Sequence, residues 1–136
     1  MLATWVGLRV PNVSTVLATS TPLTIMIPGV AIKLLRKIPM VFEVRDQWPR
    51  VPIALGILRN PLAISLARWM ERTAYANAAH IVALSPDMRD GIAEVGVSRD
   101  KISVIPNGAD TELFRAGAAK SKDVLNAYPQ LRSTRL

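Results

Sequence analysis

The sequence contains no cysteine, which excludes disulfides and cysteine-ligated metal sites. It also lacks both glycine-rich motifs that bind phosphate at a helix start, GxGxxG and GxxxxGK[ST]. Either the fold does not use such a loop, or the first strands of the domain are missing. Aromatic residues make up only 5% of the 136 residues, whereas 50% are apolar. A packed core is therefore expected, built mainly from valine, isoleucine, leucine and alanine.

Charge and hydropathy exclude several further classes of protein. A net charge of +7 favours an anionic partner, but the basic residues are dispersed and carry no nucleic-acid-binding signature, so we expect no nucleic acid. The N-terminus lacks a basic segment before an apolar one, so we expect no signal peptide and a cytoplasmic protein. The apolar segment 23–35 is too short for a bilayer span of about 20 residues. It is a core helix or a peripheral contact with anionic lipid at the inner face of the plasma membrane.

The order of apolar segments predicts an α/β fold. Four short apolar runs, at 13–19, 40–44, 80–84 and 101–105, are typical of strands covered on both faces. Helical segments at 22–37, 61–79 and 85–96 alternate with them. This order predicts an open, doubly wound, mostly parallel, Rossmann-like sheet with right-handed crossovers, which is incomplete without its first strands.

The helix at 61–79 has the clearest pattern. Asn60 is suited to cap it and Pro61 to occupy its first position. The pattern predicts an apolar stripe on one side of this helix and a solvated, charged side opposite. The stripe consists of Leu62, Leu66, Trp69 and Thr73, and the charged side of Arg68, Glu71 and Arg72.

Polar residues follow each predicted strand, at the edge where open α/β sheets bind ligands. After the first strand, Ser20 and Thr21 offer hydroxyls to a phosphate or a sugar, or they cap the helix that follows. After the third strand, Ser85 is a helix cap or a ligand. After the fourth, Asn107 and Gly108 form a turn signal, with a positive φ expected at Gly108.

The segment FEVRDQWP after the second strand carries the strongest candidates. Arg45 is suited to contact a phosphate oxygen and Asp46 a sugar hydroxyl, while Trp48 offers a flat face to a sugar ring or a lipid. A structural Arg45–Asp46 ion pair under a packed tryptophan is the alternative, because ion pairs also occur as scaffold.

Taken together, TSTPLT, FEVRDQWP, AAHIVALSPDM and KISVIPNGADTELF closely resemble the amino-terminal, acceptor-side domain of family 4 retaining glycosyltransferases of two-domain GT-B architecture. The similarity is greatest to members that build bacterial surface polysaccharides, and it covers about residues 13–114. It implies a partial glycosyltransferase domain over 1–114, followed by an unpatterned tail or the start of an interdomain linker over 115–136.

The resemblance implies transfer of a hexosyl residue from a nucleotide-sugar to a glycan or polyprenyl-diphosphate-linked acceptor, with no cofactor and no obligatory metal. It implies that Arg45 and Asp46 are catalytic and that Ser20, Thr21, Trp48, Ser85, Asn107 and Gly108 bind substrate. The donor domain would lie after Phe114, so we expect the chain to be inactive alone. Two alternatives remain: a non-catalytic remnant of a truncated gene, and an unrelated Rossmann-like small-molecule binding module.

Overall fold

The structure is a computed structural model that describes residues 2–20, 22–108 and 126–129. The chain divides into two compact units, Met1–Pro106 and Asn107–Leu136. In the second unit, residues 107 and 108 are exposed and lie in neither a helix nor a strand, and Tyr128 is also exposed. Every element described below belongs to the first unit.

The first unit is a four-stranded sheet with helices between its strands. In chain order the elements are α1 (Leu2–Arg9), β1 (Val16–Thr19), a 3-10 turn (Leu23–Ile25), α2 (Met26–Arg36), β2 (Met40–Val44), α3 (Arg50–Ala54), α4 (Pro61–Asn77), β3 (His80–Ala83), α5 (Pro86–Glu94), a second 3-10 turn (Arg99–Lys101) and β4 (Ile102–Val104).

All neighbouring strands pair in parallel, and their order in the sheet is β1-β2-β3-β4. The registers place the ends of β1, β2 and β3 at one edge, since Thr19 lies opposite Glu43 and Val44 opposite Ala83. These strands confirm the predicted α/β, Rossmann-like sheet. The strands described run sequentially and do not include the reversal of order at which a doubly wound sheet turns back.

The helix boundaries follow the predicted capping residues. The Asn60 side chain accepts hydrogen bonds from the backbone N–H groups of Leu62 (2.9 Å) and Ala63 (3.3 Å), and Pro61 begins α4. The segment after β1 differs from its prediction, because a 3-10 turn precedes α2 and no side chain caps either of them. The short helices α1 and α3 were not predicted.

The buried core lies on one face of the sheet. Met40, Phe42 and Ile81 are fully buried there, and α2, α4 and α5 each contribute side chains to the same cluster. The Phe42 and Tyr75 rings meet edge to face, with centroids 6.1 Å apart, which joins β2 to α4. The three crossover helices therefore share one core with the strands that they connect.

The prediction that the apolar stripe of α4 faces the core is wrong. Leu62 is 80% exposed and Trp69 is 59% exposed, whereas the buried residues are Met70, Ala74 and Tyr75. The face with Met70, Ala74 and Tyr75 is turned towards the sheet. Its small alanine side chains let the helix approach the strands closely, and Tyr75 contacts Phe42. The stripe of large apolar residues is left on the surface.

Close packing of α2 depends on Gly29. A Cβ atom at this position would lie 3.0 Å from both the Ala18 Cβ and the Met40 Sδ atoms. These neighbours belong to the first two strands and are buried. The absence of a side chain at Gly29 therefore sets how closely α2 approaches the sheet.

We expect Gly29→Val to lower the free energy of unfolding by about 1–3 kcal/mol, because overpacking displaces two buried strands. Leu34→Val introduces the same residue into an exposed position of the same helix and is the matched control. Chemical denaturation of both variants measures the difference. Equal stability of the two variants would show that α2 does not depend on this close approach.

Candidate functional site

The buried hydroxyl of Ser20 connects the ends of β1 and β2. This side chain is 2% exposed, and its Oγ atom accepts hydrogen bonds from the backbone N–H groups of Arg45 (2.8 Å) and Asp46 (3.3 Å). The hydroxyl in turn donates to the Asp46 carbonyl oxygen at 3.4 Å. The Ser20 N–H donates to the Glu43 carbonyl oxygen at 2.8 Å. Ser20 thus fixes the backbone from which the Arg45 and Asp46 side chains extend.

Arg45 and Asp46 are both exposed at the carboxyl edge of the sheet. The ion pairs found among the described residues join Arg50 to Glu94 and Asp90 to both Arg89 and Arg99, so they do not include an Arg45–Asp46 pair. Both residues are therefore exposed on a backbone whose position is fixed by Ser20.

Trp48 follows this pair and is partly buried. Its backbone N–H donates to the Asp46 carbonyl oxygen at 2.9 Å, which tightens the loop after β2. Its ring packs against the core cluster, as the structural alternative expected. The residue as a whole is only partly buried, and it follows Arg45 and Asp46 closely in sequence.

The other predicted site residues have different positions. Ser85 caps α5, where its hydroxyl accepts a hydrogen bond from the Met88 N–H at 3.2 Å. Thr21 lies outside the described residues. Asn107 and Gly108 are exposed and belong to the second unit. The expected positive φ at Gly108 is wrong, because the glycines with a positive φ among the described residues are Gly56 and Gly96.

In the ranges 2–20, 22–108 and 126–129, no group of three or more His, Asp or Glu side chains is arranged to hold a metal ion. No helix within these ranges is long and apolar enough to cross a membrane.

An open cleft of about 500 Å³ lies between α3, α4 and α5. Its walls combine apolar side chains with three arginines and two glutamates. The lining residues are Gln47, Pro49, Arg50, Ile53, Ala54, Arg68, Glu71, Arg72, Tyr75, Gly91, Ile92, Glu94 and Val95. Sequence reasoning missed this cleft and assigned Arg68, Glu71 and Arg72 only to a solvated face. The sequence does contain a pattern that indicates this wall of the cleft. The spacing of Arg68, Glu71, Arg72 and Tyr75 places all four on adjacent turns of one helix.

One carboxylate in this cleft is partly buried. The Tyr75 hydroxyl donates to the Glu71 Oε1 atom at 3.2 Å. Burial raises the pKa of Glu71, and the Tyr75 hydrogen bond and the neighbouring Arg72 and Arg68 only partly offset this. Burial, together with the Glu71 charge, also raises the pKa of Tyr75. The phenol therefore stays protonated and remains the donor.

We expect Ser20→Ala to destabilise the chain by about 1–3 kcal/mol, because two backbone N–H groups lose their buried acceptor. Ser65→Ala, at an exposed position of α4, is the control and should change stability by no more than about 0.5 kcal/mol. Thermal unfolding of both variants measures the effect. A Ser20→Ala protein as stable as the control would mean that the hydroxyl does not hold the two strand ends together.

Comparison with solved structures identifies the fold. The fold is similar to that of HepE from Anabaena, whose crystal structure with UDP and glucose superposes with a TM-score of 0.64 at 16% sequence identity. That match covers 97% of this chain and 32% of HepE. A second structure, of HepE with UDP-glucose, gives a TM-score of 0.61 at 18% identity, over 96% of this chain and 32% of HepE. The chain thus spans about a third of the length of HepE.

Comparison with protein sequences identifies the family. No curated protein sequence matches this chain. The family described as "Glycosyl transferase 4-like domain" matches residues 2–108, which include β1 to β4, Ser20, Arg45 and Asp46. Since this match covers well over half of the sequence, the chain belongs to the glycosyl transferase 4-like domain family.

Proposed function

We propose that this chain is the acceptor-side part of a retaining glycosyltransferase of the bacterial surface-polysaccharide type. The complete enzyme would move a hexosyl residue from a nucleotide-sugar to a glycan or a polyprenyl-diphosphate-linked acceptor. The observation that carries the proposal is that Arg45 and Asp46 are exposed at the carboxyl edge of a parallel sheet. Their backbone N–H groups are held there by hydrogen bonds to the buried Ser20 hydroxyl. Open α/β sheets bind ligands at this edge.

The chemistry of the pair suits an acceptor that carries phosphate. In this proposal Arg45 binds a phosphate oxygen with its planar, bidentate guanidinium, and Asp46 accepts a hydrogen bond from the reacting sugar hydroxyl. Trp48, which is only partly buried, borders the acceptor. Ser20 acts mainly through the backbone of Arg45 and Asp46, because its hydroxyl already bonds to both residues.

The donor is proposed to bind elsewhere in the complete enzyme. HepE was crystallised with UDP-glucose, and this chain corresponds to about a third of that protein. This supports a nucleotide-sugar donor for the proposed enzyme, held by a part that these residues do not supply. Transfer requires both substrates to be held in near-attack geometry, so we expect the chain to be inactive alone.

The surface of α1 and α2 supports a peripheral membrane contact as a further part of this proposal. Leu2, Trp5 and Leu35 are exposed there, and the Arg9 guanidinium lies 3.5 Å from the centre of the Trp5 ring. Exposed apolar and aromatic side chains accompanied by basic ones favour contact with anionic lipid. A lipid-linked acceptor would be reached from such a position at the inner face of the plasma membrane.

We expect Arg45→Lys and Asp46→Asn each to lower kcat/KM by about 2–4 kcal/mol in transition-state stabilisation, in a protein that joins this chain to a donor-binding part. Lysine keeps the charge but not the bidentate geometry, and asparagine keeps the shape but not the charge. Arg59→Lys and Asp100→Asn are matched controls at exposed positions.

Kinetics and melting temperature must be measured on the same samples. Normal kinetics beside a large loss of stability would remove the pair from the active site and favour a structural role. The chain alone should convert no nucleotide-sugar above a heat-killed control. Conversion by the chain alone would contradict the need for a separate donor-binding part.

We expect the chain to cosediment with vesicles of phosphatidylglycerol but not with vesicles of phosphatidylcholine, and added salt should weaken this binding. Trp5→Ser on α1 and Leu35→Ser on α2 should each reduce it, because both side chains are exposed and apolar. Leu62→Ser alters an exposed leucine on α4 and is the control. Equal loss in all three variants would exclude a contact specific to α1 and α2.

A further inference from the structure

The cleft between α3, α4 and α5 has the size and lining of a small-molecule site. Its volume of about 500 Å³ lies within the range of roughly 300–1,000 Å³ that is usual for ligand pockets. Buried Ile92 and Tyr75 contribute to an apolar lining, which Val95 and Ile53 extend. Charged groups stand among these apolar side chains, so the cleft offers both a surface for C–H groups and polar contacts.

Two arginines of α4 line the cleft with no counter-ion in direct contact. Arg68 and Arg72 are one helical turn apart, a spacing at which like charges repel. Within the described part of the chain, neither of them forms an ion pair or a hydrogen bond. Arg50, the third arginine of the cleft, is bonded to Glu94 at 3.1 Å. An anion between Arg68 and Arg72 would relieve their repulsion and use their free N–H donors.

Glu71 lies between these arginines in sequence and supplies an acceptor. Its Oε1 atom accepts from the Tyr75 hydroxyl, which leaves the other carboxylate oxygen for a ligand hydroxyl. The nearby guanidinium groups attract this carboxylate, although burial disfavours its charge. The lining of α4 therefore offers anion-binding groups and a hydroxyl acceptor within two helical turns.

Gly91 keeps the opposite wall of the cleft open. A Cβ atom there would lie 2.9 Å from the Gln47 Nε2 atom and 3.1 Å from an Arg50 terminal nitrogen. The absence of a side chain lets Gln47 and Arg50 lie across α5, where Gln47 donates to the Asp87 carbonyl oxygen at 3.5 Å. These two polar side chains border the cleft opposite Arg68 and Arg72.

We propose that this cleft binds an anionic carbohydrate, with its phosphate or carboxylate between Arg68 and Arg72 and its sugar ring on the apolar lining. Glu71 accepts a hydrogen bond from a sugar hydroxyl, and Gln47 makes a further polar contact from the opposite wall.

This site differs from the edge site and does not depend on the proposed transferase activity. Arg45 and Asp46 do not line the cleft, and Ser20 is not part of it. The cleft is formed mostly by helix side chains on the covered face of the sheet, with Gln47 and Pro49 added from the loop after β2. Binding here can therefore be measured on the chain itself, without a donor or a transfer reaction.

The test is calorimetric titration of the 136-residue chain with glucose 1-phosphate, glucuronate, glucose and inorganic phosphate. We expect both anionic sugars to bind saturably and glucose to bind at least about tenfold more weakly, because it lacks the charge that the arginines recognise. Comparison of glucose 1-phosphate with glucuronate shows which anionic group the site prefers, and inorganic phosphate measures the contribution of the anion alone.

Arg68→Gln and Arg72→Gln should each weaken binding of glucose 1-phosphate by about tenfold, since each removes a charged donor. Arg99→Gln changes the net charge equally but removes an exposed arginine that pairs with Asp90 outside the cleft. It should leave binding unchanged. Arg45→Gln should also leave it unchanged, which separates this site from the edge site. Melting temperatures of all variants confirm that each is folded.

The pH dependence provides a readout that a purely structural role would not give. Glucose 6-sulfate is the probe, because its sulfate stays ionised throughout. Its binding should tighten as the pH falls through the raised pKa of Glu71, since protonation removes a negative charge near the sulfate while the protonated carboxyl still hydrogen-bonds the sugar hydroxyl, then as a donor. The other ionisable groups that line the cleft are Arg68, Arg72 and Tyr75 on α4, Arg50 on α3 and Glu94 on α5.

Glu71→Gln keeps an oxygen that can accept from the Tyr75 hydroxyl but carries no charge. It should bind glucose 6-sulfate more tightly at neutral pH and lose the pH dependence. A pH dependence that persists in this variant would remove Glu71 from the site. No saturable binding of either anionic sugar, equal binding of glucose, or equal loss in Arg99→Gln would overturn the proposal.

Discussion

The structure depends on one constraint. When the strands of a parallel sheet follow chain order, their crossover helices all pack on a single face of the sheet. Each right-handed crossover that moves one strand further in the same direction returns its helix to the same side. Here α2, α4 and α5 all contribute to the cluster around Phe42, Met40 and Ile81. The close approach at Gly29 and the contact between Phe42 and Tyr75 follow from this crowding.

The same constraint creates both candidate sites. Parallel strands end at a common edge, so the residues after β1 and β2 become neighbours although they are far apart in sequence. The hydrogen bonds from the backbone of Arg45 and Asp46 to Ser20 span this edge. On the covered face, α4 and α5 diverge enough to leave a cleft, which α3 borders through Arg50 and its bond to Glu94.

The two sites use positive charge in different ways. At the edge, Arg45 is exposed and belongs to a short loop, where a phosphate group could reach it from solvent. In the cleft, Arg68 and Arg72 stand beside a partly buried carboxylate whose pKa is raised by its surroundings. Arg68 and Arg72 are exposed like Arg45, so the difference between the two sites lies in the partly buried carboxylate and the apolar lining beside the cleft arginines.

The sequence by itself determined the strands, their parallel pairing and the start of two helices. Short apolar runs such as VFEV and IVAL indicate strands, although only alternate residues of them are buried in the structure. Caps such as Asn60 and Ser85 satisfy backbone N–H groups locally. The family could also be predicted, because its motifs lie in continuous segments. The edge rule placed Arg45 and Asp46 at the carboxyl edge of the sheet but left open whether they pair with each other.

Only the tertiary structure decided which side of α4 is buried, what Ser20 bonds to and where the cleft lies. The pattern of α4 favoured Leu62, Leu66 and Trp69 as the core face, yet these residues are exposed. Hydrophobicity along a helix does not reveal which face a neighbouring strand can approach, and that approach depended on small residues and on Tyr75 meeting Phe42. Ser20 resembled a local cap, but its partners are 25 and 26 residues away in sequence. Such contacts form between separate segments, and no local pattern contains them.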